Sequence, residues 1–218
     1  MVMKKILLSA AMLMVTVVLS ACSSNQTSGD LHEQIIEYAE QVAEPGSFEK
    51  GDIYIDSILY GSYSQGGQAE MLALCKFKNN PHVAGLDRTL AVIFSCQTKE
   101  MVASKCFHAD EVMIRSLPTE SGENRILFLG SSTSTGLTTQ QIGLYCIQNG
   151  EWTEILMDEV HLREEDMCYM VNDDRLGILP GGNGEAPAGE PLIYSWDTKS
   201  GQFSRGESCI LLTYHSCP

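Results

Sequence analysis

The chain has few basic residues. Its 218 residues include 14 Lys and Arg against 28 Asp and Glu, which gives a formal net charge of −14. An acidic chain repels the phosphates of nucleic acids, so we expect no nucleic-acid partner. Scattered acidic side chains also keep a surface domain soluble, and we interpret most of them in that way.

The familiar motifs of enzymes are missing as well. The sequence has no C-x-x-C, G-x-G-x-x-G, P-loop, H-E-x-x-H or G-x-S-x-G pattern. These patterns mark redox, nucleotide-binding, metalloprotease and hydrolase sites. One S-x-x-K match, Ser47 to Lys50, lacks the companion motifs of penicillin-binding enzymes. We therefore predict no catalytic, cofactor-binding or metal-ligating residue and no cofactor.

The one long apolar run lies at the amino terminus. Lys4 and Lys5 precede uncharged residues 6–19, a run too short to span a bilayer but typical of a signal peptide. The run ends in Leu19-Ser20-Ala21-Cys22, which resembles the lipobox of bacterial lipoproteins.

This resemblance implies cleavage after Ala21 and transfer of a diacylglyceryl group to the Cys22 sulfur. Two acyl chains hold a protein stably on a membrane, since each buried methylene contributes about 0.8 kcal/mol. We therefore expect residues 1–21 to be a signal peptide, residues 22–29 a flexible polar tether, and the protein to be anchored at the extracytoplasmic face of the cell membrane.

Residues 30–218 form a single extracytoplasmic domain in this interpretation, with a helix over 30–44 and a β body over 52–216. Asp30 and Glu33 have the spacing of a capping box. Apolar residues follow at helical spacing: Leu31, Ile35, Tyr38, Ala39 and Val42. Pro45-Gly46 then ends the helix.

From residue 52 onward, short apolar runs alternate with turn residues, which is typical of antiparallel β structure. Three hairpins with the same plan recur at a spacing of roughly 50 residues. They are LAVIFSCQTKEMV, GLYCIQNGEWTEI and LIYSWDTKSGQF. We predict a mainly β fold of antiparallel hairpins, with propeller-like blades of about 50 residues, a sandwich and a barrel as the open arrangements.

Two segments without an apolar pattern are predicted to be long loops. Residues 131–141 carry seven Ser and Thr; they would form a polar hairpin loop without a function of its own, or donate hydrogen bonds to a glycan or peptide. Residues 179–191 are rich in Gly and Pro. Trp152 and Trp196 flank hairpin turns, where they would form a carbohydrate platform or pack against neighbouring strands.

Seven cysteines remain besides Cys22, an odd number, and several lie in apolar runs. We expect mostly buried thiols or a few disulfides, without assigned pairs. Cys209, His215 and Cys217 share one strand face, as do Cys106 and His108, but neither set has a zinc-site spacing. Asn172-Asp173-Asp174 is predicted to be a turn and not a calcium loop.

Beyond the leader, HVAGLDRTLAVIF and GLYCIQNGEWTEI make the body similar to uncharacterised lipoproteins of low-GC Gram-positive bacteria. That similarity carries no known activity. We expect a binding or interaction module at the cell surface with a protein or glycan ligand. An envelope-acting hydrolase and an accessory subunit of a membrane complex are the alternatives.

Replacing Cys22 with Ser tests the anchor. The hydroxyl cannot take the thioether-linked diacylglyceryl group, so we expect Cys22→Ser to move the protein from the membrane fraction to the soluble fraction. Mass spectrometry of the wild-type amino-terminal peptide should show a doubly acylated Cys22. A variant that stays with the membrane would contradict the lipid anchor.

Overall fold

In a computed structural model of the chain, the described residues are 28–42, 52–64, 67–78, 89–134, 137–160, 166–179 and 191–206. They form one helix, α1 (Ser28–Val42), and twelve strands. The predicted signal peptide and predicted anchor Cys22 lie outside this part, as do Ser47, most of residues 179–191 and the carboxyl-terminal Cys209, His215 and Cys217. No helix within the described ranges is long and apolar enough to cross a membrane.

The strands form three four-stranded antiparallel sheets, each built from consecutive strands. The first sheet contains β1 (Ile53–Gly61), β2 (Glu70–Phe77), β3 (Thr89–Ser95) and β4 (Met101–Phe107). The second contains β5 (Glu111–Leu117), β6 (Arg125–Ser134), β7 (Leu137–Gln148) and β8 (Glu151–Glu159). The third contains β9 (Met167–Asn172), β10 (Arg175–Leu179), β11 (Leu192–Asp197) and β12 (Gln202–Arg205).

The mainly β prediction is confirmed, and the roughly 50-residue period corresponds to one sheet. Each of the three predicted hairpins forms the third and fourth strands of its sheet: β3–β4, β7–β8 and β11–β12. The described strands form no closed barrel. A propeller-like arrangement of the three sheets stays a prediction.

The helix and the sheets lie in four successive layers. One apolar cluster joins α1 to the first sheet, a second joins the first sheet to the second, and a third joins the second sheet to the third. Corresponding strands contact one another across the layers: β1, β5 and β9 along one side, and β4, β8 and β12 along the other. The stack therefore buries the first and second sheets on both faces.

Strand β2 shows how the sequence serves two interfaces. Met71 and Cys75 point to the helix side, whereas Leu72 and Leu74 point to the second sheet. Side chains alternate between the faces of a strand, so a strand covered on both sides needs a continuous apolar run. The run MLALC supplies it, and all five of its residues are buried.

Helix α1 spans Ser28–Val42, whereas the sequence predicted 30–44. Asp30 therefore lies in the first turn of the helix and is not its cap, which corrects the capping-box assignment. The apolar stripe is confirmed, because Ile35 and Ala39 are completely buried against the first sheet. Asn149 and Gly150, at the β7–β8 turn, both have positive φ, as an Asn-Gly hairpin requires.

Gly143 lets an aromatic ring lie across strand β7. A Cβ atom at Gly143 would lie 2.8 Å from the ring of Tyr145 and 3.2 Å from the methyl group of Met157. Tyr145 is only 2% exposed, and its hydroxyl donates a hydrogen bond to Glu154 at 3.2 Å. The ring therefore has no room to withdraw from an added methyl group.

We expect Gly143→Ala to lower the free energy of unfolding by about 1–3 kcal/mol, the usual cost of overpacking a core. Urea unfolding followed by circular dichroism measures this change. Gly206→Ala is the matched control, because its Cβ would lie 3.5 Å from the carbonyl oxygen of Ile193, an ordinary contact. Equal unfolding midpoints for the two variants would contradict the close approach at Gly143.

Candidate functional site

An open groove of about 440 Å³ lies between helix α1 and the turn that joins β3 to β4. Its volume falls in the usual range for small-molecule sites. Six of its eight lining side chains carry polar groups. The lining consists of Gln34, Glu37, Tyr38, Gln41, Phe94, Thr98, Lys99 and Met101.

The floor of the groove is apolar and aromatic. Tyr38 of the helix and Phe94 of β3 meet edge to face, with ring centroids 6.1 Å apart and an interplanar angle of 87°. Phe94 is buried, whereas Tyr38 and Met101 are half-buried. The floor thus belongs to the same apolar cluster that attaches the helix to the first sheet, which makes it rigid.

The helix supplies the polar rim on one side. Gln34 and Gln41 are seven residues apart, which is two helical turns or roughly 10 Å. Glu37 lies between them, and all three are exposed. Their side chains make no hydrogen bond or ion pair within the described part of the chain, so these polar groups are available to a ligand.

The turn on the other side of the groove is fixed by Ser95. Its hydroxyl oxygen accepts hydrogen bonds from the amides of Gln97 at 3.3 Å and Thr98 at 3.1 Å. The amide of Lys99 donates to the carbonyl oxygen of Ser95 at 3.0 Å. This geometry places Lys99 in the left-handed region with φ of 61°.

The turn between β11 and β12 has the same plan. The carboxylate of Asp197 accepts a hydrogen bond from the amide of Lys199, as Ser95 does in the other turn. The amide of Gly201 donates to the carbonyl oxygen of Asp197 at 2.9 Å, and its φ is 68°. Glycine adopts this left-handed conformation without strain. Lysine adopts it at a cost in conformational energy, because its Cβ atom comes close to the following carbonyl oxygen.

Sequence reasoning missed the groove. The apolar stripe that contains Tyr38 predicts packing against the domain, and the polar residues beside it form no local pattern that predicts a site. One signal was present in the aligned hairpins, where Lys99 occupies the position that Gly201 fills in the third sheet. A lysine at this position is a departure from the residue that the turn favours.

The described residues of the hydroxyl-rich segment, 131–134 and 137–141, belong to strands, which corrects the prediction of a long loop. They continue β6 and β7, with Ser131 paired to Gln140 and Thr133 to Thr138. The two threonine hydroxyls lie 3.0 Å apart, and the amide of Thr133 donates to the carboxylate of Asp110 at 2.6 Å. These hydroxyls and amides therefore serve the hairpin itself.

The two tryptophans are packed and do not form an open platform. Trp152 meets the rings of Phe107 and Tyr145 edge to face, with centroids 5.9 and 5.8 Å away. Trp196 lies against Phe203 in the third sheet at 5.3 Å. Of the two alternatives for these residues, strand packing is the correct one.

The carboxylates of Glu70 and Asp173 hold turns in place and are therefore not candidates for an acid–base role. Buried Glu70 accepts hydrogen bonds from the amides of Tyr63 at 2.5 Å and Ser64 at 2.9 Å, and from the Ser64 hydroxyl. Asp173, in the predicted turn, accepts from the amides of Glu120 and Ser121 at 2.6 and 3.0 Å. Both carboxylates are occupied by backbone donors.

Within the described ranges, no three His, Cys, Asp or Glu side chains converge as metal ligands would, and this includes Cys106 and His108. Cys96 is disulfide-bonded. Cys75, Cys106, Cys146 and Cys168 are thiols. Burial raises the pKa of the Cys75 thiol to about 12 and raises the pKa of Cys146 and Cys168 as well. Such thiols are poor nucleophiles at neutral pH.

No family model matches the chain, and no curated protein matches it. The site is therefore interpreted from its own geometry.

Alkylation of unfolded protein tests the cysteine assignments. Without reductant, we expect iodoacetamide to label Cys75, Cys106, Cys146 and Cys168, and to label Cys96 only after reduction. In the folded protein, Cys75 should react more slowly than half-buried Cys106, because it is fully buried and its pKa is raised. Peptide mass spectrometry measures both. Labelling of Cys96 before reduction would contradict the disulfide.

Proposed function

We propose that this protein is a lipid-anchored binding module at the extracytoplasmic face of the cell membrane and that the groove between α1 and the β3–β4 turn holds its ligand. The observation that carries this proposal is the groove itself. It combines a rigid aromatic floor with three exposed polar side chains that have no partner in the described part of the chain. A preformed surface of this kind favours recognition.

The shape of the groove favours binding over catalysis. Its lining contains one carboxylate, that of Glu37, and no histidine or cysteine. Acid–base and nucleophilic catalysis use at least two groups in mutual reach. The groove offers instead several hydrogen-bonding groups spread along an apolar floor, which is the arrangement of a binding site.

The predicted anchor agrees with a ligand close to the membrane. Helix α1 begins at Ser28, six residues after Cys22. Six residues span at most about 21 Å when fully extended, so a lipidated Cys22 would hold the helix within that distance of the bilayer surface. The acidic residues of α1, among them Glu33, Glu37 and Glu40, disfavour direct contact with anionic headgroups. A ligand in the envelope layer next to the membrane fits both constraints.

Photo-crosslinking in intact cells tests the proposal. A photoreactive amino acid replaces Gln41 in the groove or, as the matched control, Gln202, which is equally polar and exposed on β12 of the third sheet. We expect a crosslinked envelope product from position 41 and much less from position 202. In the Cys22→Ser background the product from position 41 should decline, since the module leaves the membrane. Equal yields from the two positions would contradict a ligand in the groove.

A further inference from the structure

We propose that the groove binds an uncharged saccharide, with Lys99 held in a strained turn in order to contact it. This inference rests on the proposed binding function and names its ligand class. Three features of the groove carry it: its charge balance, its combination of amides with an apolar floor, and the backbone conformation of Lys99.

The charge balance indicates an uncharged ligand. Glu37 and Lys99 are the charged side chains that line the groove, one of each sign. A site for an anion would need an excess of cationic side chains, all the more because the chain carries 28 acidic residues against 14 basic ones. A site for a cation would need more than one carboxylate. Neither excess is present.

The side chains match the two sides of a sugar ring. A pyranose has an apolar face of C–H groups and a rim of hydroxyls that both donate and accept hydrogen bonds. Half-buried Tyr38 and Met101, which lie over buried Phe94, provide the exposed apolar floor for the C–H face. Gln34 and Gln41 each offer a donor and an acceptor, Glu37 offers acceptors and Lys99 offers donors. The roughly 10 Å between the two amides suits more than one sugar unit.

Lys99 has a backbone conformation that favours glycine, so the turn carries a lysine side chain in spite of that preference. Lys99 and Gly201 occupy the same position in two turns of the same plan, with φ of 61° and 68°. Gly201 does not line this groove, and a Cβ atom there would have open space around it. The third sheet therefore uses the residue that the turn favours, whereas the first sheet keeps a lysine whose side chain lines the groove.

Peptides and phosphate are the competing ligands. A zwitterionic peptide would use Glu37 for its amino group, Lys99 for its carboxylate and the amides of Gln34 and Gln41 for its backbone, so dialanine is titrated beside the sugars. Phosphate would use Lys99 alone and would be repelled by Glu37. The saccharide accounts for all of these side chains.

The experiment exchanges the residues of the two turns in the full chain, purified in detergent. Isothermal titration calorimetry measures the binding of chitotetraose and cellotetraose, and urea unfolding measures stability. We expect Lys99→Gly to weaken binding about tenfold to a hundredfold, the loss of one hydrogen bond from a charged donor. The same variant should raise the urea midpoint, because glycine removes the strain.

Gly201→Lys is the matched control. It should lower the urea midpoint, because it introduces the strain, and leave oligosaccharide affinity unchanged, because the residue lies outside the groove. Gln34→Ala, an exposed substitution, should weaken binding without a change in the midpoint. These opposite effects of two substitutions in equivalent turns separate a contact with the ligand from an effect on folding.

The proposal is overturned if neither oligosaccharide binds, or if Lys99→Gly binds as tightly as wild type. Binding of dialanine or inorganic phosphate in place of the sugars would also overturn it. That last outcome would leave the binding module intact, because crosslinking from position 41 in cells tests the module independently of the ligand class.

Discussion

Burial of the first sheet on both faces is the constraint on which the rest of the structure depends. Strands β2 and β3 bury side chains against the helix on one face and against the second sheet on the other. A polar residue on either face would need a partner inside the core. The helix is therefore as much a part of the stack as the sheets, and its position fixes one wall of the groove. The opposite wall belongs to the β3–β4 turn of the same sheet, so a single packing interaction sets the groove's width.

Two turns of the same plan differ in the residue that adopts the left-handed conformation. In both, a side chain at the first position holds the following amides, and the fifth residue takes a left-handed conformation. The third sheet places glycine there and the first sheet places lysine. The difference coincides with the groove, which lies beside the first turn. Strain at a position that contacts a ligand is a common cost of function.

The corrections to the sequence-based predictions have physical causes. Segment 131–141 resembled a loop because it is polar, yet β6 and β7 continue through it as a hairpin whose hydroxyls and backbone groups bond to one another. Asp30 resembled a cap, but the helix begins two residues earlier. In both cases the local composition predicts that a helix or strand ends at a residue where its backbone hydrogen bonds in fact continue. The groove was missed because its walls come from segments about 60 residues apart, and no local pattern records their meeting.

The sequence alone determined the mainly β class, the helix stripe and the three hairpins, because apolar periodicity and turn residues act locally. It also predicts the lipid anchor, whose residues are adjacent in the chain. Tertiary structure alone decided which face of each strand meets which layer, that both tryptophans are packed, and that Gln34, Tyr38 and Lys99 line one groove. These properties depend on contacts between distant segments, and such contacts form only when the layers pack together.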